Sequence, residues 1–198
     1  MIEYNDERHE YKLGGVIVPS VTQVIQPLGP DFSFVQDDIL ERASHFGRAV
    51  HAATQQDDEG TLDEPSLSVP LIPYVAAWRK FKDVFGVKIL RNEEVVYSEP
   101  WRVAGRLDRM ATILGKSLVL VDIKTSATLH RVTGVQLAGY ETCVRDLGFI
   151  LRREKVLRIA VRLLESGDYQ IKKYEDESDK SAFVACVQLF HWRKNNGF

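Results

Sequence analysis

Cysteine is scarce in this chain, long apolar runs are missing, and neither sign of charge is in clear excess. The two cysteines, Cys143 and Cys186, are too few for a disulfide framework, a four-cysteine zinc site or an iron–sulfur cluster held by cysteine alone. Both fall in helical-looking segments and are expected to be buried free thiols. No apolar stretch approaches the roughly 18 residues a membrane span needs, and no apolar run follows a basic start. No membrane anchor or signal peptide is therefore expected, and the chain reads as intracellular. Lys and Arg number 26 against 28 Asp and Glu, a formal net charge of −2. A basic field over the whole molecule is thereby excluded, so any contact with a polyanion must come from a local patch. No G-x-x-x-x-G-K-[ST] loop occurs, which excludes P-loop ATP chemistry. Internal repeats and low-complexity tracts are absent as well.

What is present is an ordinary globular balance, with 44% hydrophobic and 27% charged residues over 198 positions. That length fits one domain spanning residues 1–198. Alternation over 8–18 around Gly14-Gly15 predicts a β-hairpin. Ser20 then caps a short helix, and Gln23 completes a capping box. Apolar spacing predicts helices over 36–56 and 71–85. The acidic stretch 57–70, with Gly60, Pro65 and Pro70, reads as a loop between them. Strands are expected over 87–97, 101–114 and 117–123, the last two joined at Gly115-Lys116. A helix over 133–147, a hairpin around Ser166-Gly167-Asp168 and a closing helix over 178–194 complete the chain. The fold class is α/β, a mixed and mostly antiparallel sheet flanked by helices.

The residues that carry chemistry cluster in the strands. Asp108 interrupts one, in Gly105-Arg106-Leu107-Asp108. Asp122 ends the next, in Val119-Leu120-Val121-Asp122-Ile123-Lys124-Thr125-Ser126. If these strands pair, their carboxylates can converge on one cation. Mg²⁺ and Mn²⁺ are hard ions that want such oxygen ligands. Period-two alternation puts Asp122 and Lys124 on one face, with the ammonium beside the metal. Ile123 points into the core while its carbonyl can turn toward the ion. An apolar strand that changes abruptly to Asp-Ile-Lys-Thr-Ser is placing charge at the rim of a core. Arg106 falls on the side of Asp108 and can reach that rim. Thr125 and Ser126 can donate to a phosphate or simply cap the strand. Glu94, on the preceding strand, reads as an exposed edge-strand glutamate rather than a ligand. Gln136 and Tyr140 lie four apart on the following helix and so share a face. Arg152-Arg153-Lys155 reads as a solvated basic run, and His9, His45, His130 and His191 read as structural or exposed.

Gly-Arg-Leu-Asp, then Val-Asp-Ile-Lys-Thr-Ser, then Gln136-Leu-Ala-Gly-Tyr140 resembles the signature of RecB-type nucleases in the PD-(D/E)XK superfamily. Gly47-Arg48-Ala49-Val50-His51 is similar to that family's G-x-x-x-H helix motif, and Pro19-Ser20-Val21-Thr22 to the P-S-V-T segment of mitochondrial and phage exonucleases within it. Leu107 stands where the superfamily's name has proline. The resemblance implies a restriction-endonuclease-like core. It implies a metal site of His51, Asp108, Asp122 and the Ile123 carbonyl, taking one or two Mg²⁺ or Mn²⁺ ions. Lys124 would be the catalytic lysine, with Gln136 and Tyr140 orienting it and touching DNA. The implied activity is metal-dependent hydrolysis of DNA from free ends, single strands included. The acidic stretch 57–70 would line the entrance. Two alternatives stay open: an endonuclease of restriction or junction-resolving type using the same site, and a catalytically inactive DNA-binding module.

Overall fold

The computed structural model describes residues 2–6, 8–151 and 153–198; Arg152 of the basic run lies outside them. Two sheets form. The smaller is antiparallel, with β1 (Ile2–Asn5), β2 (Glu10–Leu13) and β3 (Val16–Val18) in that order. The expected hairpin is thus β2–β3, and β1 is an additional strand paired along β2. The larger sheet has five strands in the order β4 (Lys88–Ser98), β5 (Val103–Ile113), β6 (Ser117–Lys124), β7 (Val156–Leu163) and β8 (Tyr169–Lys173). All its pairings are antiparallel except β6–β7, which is parallel because helix α4 (Val132–Asp146) carries the chain back between them. The architecture is therefore mixed α/β.

Local chemistry explains the helix ends. Helix α1 (Val21–Val24) starts with the expected capping box: Ser20 Oγ accepts from the Gln23 N–H at 3.0 Å, and Gln23 Oε1 accepts from the Ser20 N–H at 2.8 Å. Helix α2 (Asp37–Glu59) stops at Gly60 and α3 (Ile72–Phe85) at Gly86, both left-handed at φ 68° and 52°. Helix α5 (Ser178–Asn196) closes the chain. Among the described residues, no helix is long and apolar enough to cross a membrane.

The helices cover both faces of the larger sheet. Val50 of α2 and Trp78 and Phe81 of α3 pack with Val119, Val121 and Ile123. On the other face Leu137 and Phe183, from α4 and α5, pack with Leu118 and Leu120. Gly139 lets α4 meet α1 and α5 closely, since a Cβ there would stand 2.7 Å from Phe183 Cε2 and 2.8 Å from Val21 Cγ1.

The acidic stretch 57–70 departs from expectation. Its first three residues are the last turn of α2, and short 3₁₀ turns follow at Glu64–Ser66 and Val69–Leu71. Asp57 takes ion pairs from Arg79 and Lys82, and Asp58 from Lys82 and Arg109. These two carboxylates are internal counter-ions that tie α2 to α3 and β5, so they do not line an entrance.

Candidate active site

The site lies where β5 and β6 part. Their ladder runs as far as Arg109↔Val121. Beyond that pair the Asp108 carboxylate takes the place of a ladder acceptor, its Oδ2 receiving the Ile123 N–H at 2.7 Å. Side-chain alternation along β5 changes phase here. Gly105 and Leu107 face α4, whereas Arg109 and Ala111 face α2 and α3. Asp108 alternates normally with Leu107 and so faces His51 of α2, 3.7 Å away; the phase change brings Arg109 to that same side.

His51 is held among oxygens. Its Nδ1 is 3.2 Å from Glu93 Oε1 and 3.7 Å from Asp108 Oδ2, and its Nε2 is 3.1 Å from the Ile123 carbonyl oxygen. His51, Glu93 and Asp108 each offer a ligand atom, and these atoms all lie within 4.8 Å of one another. Ligands on one octahedral ion at about 2.1 Å stand about 3 Å apart, so this donor set fits a divalent cation. Glu93 comes from β4, opposite Asp108 between the register pairs Asn92↔Arg109 and Glu94↔Leu107. Its backbone is left-handed, with φ 47°. Glu93 is the member sequence reasoning missed. Glu94, one residue on, pairs with Leu107 and, by alternation, faces the other way; it lies on the edge strand as expected but is half-buried, not exposed.

Asp122 and Lys124 form a second, adjacent pair. They share a face of β6 as alternation requires, and Lys124 Nζ lies 2.8 Å from Asp122 Oδ2 and 3.0 Å from Oδ1. Oδ2 is close to the ammonium but makes no well-directed hydrogen bond. A buried carboxylate oxygen left in that state is available to a cation. Asp122 thus stands beside the compact triad, not inside it.

The charges are strongly coupled. Asp108 is raised from 3.8 to about 6, first by burial and then by repulsion from Asp122 and Glu93, against the attraction of His51 and Lys124. Burial works against a charged His51, but Asp108 and Glu93 outweigh it and raise its pKa to about 9. The imidazolium then donates from both ring nitrogens, as its oxygen neighbours require. Burial also disfavours the Lys124 ammonium, yet Asp122 and Asp108 hold its pKa above the ordinary lysine value.

The remaining expected residues surround this centre. Arg106 does reach the rim, its Nε 3.0 Å from Glu93 Oε2. Gln136 Nε2 donates to the Tyr140 hydroxyl at 3.4 Å, and among the described residues neither hydrogen-bonds Lys124. Tyr140 is buried close enough to Asp108 and Asp122 for both to oppose its ionisation, after burial itself. Ser126 donates to the Thr128 carbonyl at 3.0 Å, a local cap at the strand end. Thr125 Oγ1 would stand 3.6 Å from a Cβ on Gly47, so the glycine of G-x-x-x-H is where α2 passes over the end of β6. A cleft of about 230 Å³ opens over His51, Glu93 and Asp108, with Arg48 and Arg106 at its mouth. Arg48 donates to Ser44 Oγ and, among the described residues, has no carboxylate partner.

No protein-family model matches the chain, and no curated protein does. The fold is similar to a crystal structure from Eubacterium rectale described as a "putative exonuclease". The TM-score is 0.51 at 16% identity, covering 76% of this chain and 68% of that one. At that identity the likeness is one of fold.

Proposed function

We propose that the protein is a divalent-metal-dependent nuclease of the PD-(D/E)XK type that hydrolyses phosphodiester bonds in DNA, working from free ends and accepting single strands. The observation that carries the proposal is the triad of His51, Glu93 and Asp108 on one cleft, with the Asp122–Lys124 pair adjacent. His51, Glu93, Asp108 and the Ile123 carbonyl would hold Mg²⁺ or Mn²⁺, with Asp122 available to the same ion or to a second. When bound, the ion supplies charge neutralisation at the phosphate and a water of lowered pKa. The chain's own groups do the rest. Lys124 is kept cationic by Asp122, so its role is to donate to the attacking water or the phosphate oxygens and to offset charge developing there. A general-base role would need a neutral amine. Arg48 and Arg106 at the mouth suit the flanking phosphates. Tyr140 and Gln136 wall the site on the α4 side. Exonuclease action is supported by the motif resemblance and agrees with the description attached to the fold neighbour.

Purified protein incubated with linear and closed-circular DNA, single- and double-stranded, tests this. Cutting should require Mg²⁺ or Mn²⁺, stop with EDTA and spare closed circular single strands. Asp122→Ala and Lys124→Ala should each lower the rate by orders of magnitude with the fold intact. Failure of the parent to cut any DNA, or parental rates in both variants, overturns the proposal; cutting of circles replaces the exonuclease reading with an endonuclease.

A further inference from the structure

Glu93 occupies a backbone conformation, φ 47°, that non-glycine residues seldom adopt. Its carboxylate meets His51 and the rim residue Arg106, and a third partner ties it to the interior. Arg109 follows Asp108 in the chain and is fully buried. Its Nη1 donates to Glu93 Oε1 at 2.7 Å and to the Asp108 carbonyl oxygen at 2.8 Å. Its Nε donates to Asp58 Oδ2 at 2.7 Å, and its Nη2 to Thr54 Oγ1 at 3.1 Å. Thr54 in turn donates to the His51 carbonyl at 3.0 Å. One planar group therefore touches Glu93 and Asp108 directly and the His51 backbone through a single hydroxyl. On its far side it is anchored by Asp58, which also accepts from Trp78 Nε1 at 2.9 Å and Lys82 Nζ at 2.6 Å.

We infer that Arg109 is the positioning residue of the metal site, fixing the Glu93 carboxylate and the Asp108 backbone at the spacing a divalent ion needs. The inference rests on the proposed reading of His51, Glu93 and Asp108 as metal ligands. Arg109 touches neither ion nor substrate. It acts through the rigid fork of its guanidinium, whose N–H groups point to acceptors on opposite sides at once. A lysine at 109 would keep the charge and lose that fork. A different effect is also open to a buried cation beside a metal site, namely plain repulsion of the ion. The two effects part in the lysine variant: loss of positioning weakens metal binding, whereas repulsion alone leaves it unchanged.

Mn²⁺ titrated calorimetrically into the full chain at fixed pH measures the difference, with thermal unfolding recorded on the same samples. The parent should bind Mn²⁺. Arg109→Lys should bind it about 10–100-fold more weakly, the range typical of losing a group that orients a metal ligand. Thr54→Val, which removes one anchor at nearly constant volume, should shift Kd in the same direction by less. Parental Mn²⁺ affinity in Arg109→Lys overturns the inference even if that variant unfolds earlier, since a purely structural role lowers the melting temperature alone. If Arg109→Lys does not fold, Thr54→Val decides by the same criterion. A parent that binds no Mn²⁺ overturns the reading of the site, and the inference with it; that failure is visible in the parent alone.

Discussion

Replacing Asp108 by asparagine keeps the side chain's shape and its acceptor for the Ile123 N–H, and removes one negative charge from a site that also holds Glu93 and Asp122. Burial and those two carboxylates carry Asp108 from 3.8 to about 6 in the folded protein. That difference disfavours the charged fold by about 3 kcal/mol at pH 7.5. The sign follows from linkage. An acid whose pKa is higher folded than unfolded destabilises the protein fully above its folded pKa and not at all below its unfolded one. Metal-free Asp108→Asn should therefore be the more stable protein at pH 7.5. For a chain of this size about 3 kcal/mol corresponds to roughly 6–12 °C in Tm. At pH 4.5 the advantage should shrink to about 1 kcal/mol. Thermal unfolding in EDTA at both pH values measures this, and Mn²⁺ should raise the Tm of the parent far more than that of the variant. A variant less stable than the parent at pH 7.5 in EDTA, or a gap that does not narrow in acid, refutes the reasoning.

Three further outcomes are expected. Burial works against the His51 charge, but Asp108 and Glu93 hold its pKa near 9, so a metal ion must displace that proton; Mn²⁺ affinity should rise about tenfold per pH unit from 6.5 to 8.5, and a pH-independent Kd in calorimetry contradicts this. A Cβ at Gly105 would meet Tyr140 Cε1 at 2.8 Å, whereas at Gly47 the nearest atom is Thr125 Oγ1 at 3.6 Å. Gly105→Ala should thus cost about 1–3 kcal/mol and Gly47→Ala should cost nothing or stabilise its helix by up to about 1 kcal/mol, both read from denaturant unfolding. Burial pushes the Cys143 thiol far above the usual range and the half-exposed Cys186 thiol less so; maleimide labelling followed by mass spectrometry should mark Cys186 alone in the native protein and both after unfolding.

How much of this was legible in the sequence depended on how local each signal is. Strands β4 to β6 announced themselves through apolar runs, and Asp122 with Lys124 needed only the two-residue period of a strand. The capping box at Ser20 and Gln23 is likewise complete within four residues. Glu93 was not legible. It stands next to Glu94, and which of the two meets Asp108 is decided by the β4–β5 register, which shifts at the irregularity between Ile89 and Arg91. The acids at 57 and 58 look like loop composition because their cations, Arg79, Lys82 and Arg109, are distant in the chain and arrive only through packing of α3 and β5. Arg109 is, in the sequence, simply one more charge beside Asp108. Only the phase change at the parting of β5 and β6 turns it inward, and that change has no marker in the residues around it.

Manganese soaked into crystals of the protein tests the metal site most directly. Anomalous density is expected at coordination distance, about 2.0–2.3 Å, from His51, Glu93, Asp108 and the Ile123 carbonyl oxygen. Density at some other cluster, with His51 still bridging Glu93 and Ile123 and no ion between them, would contradict it.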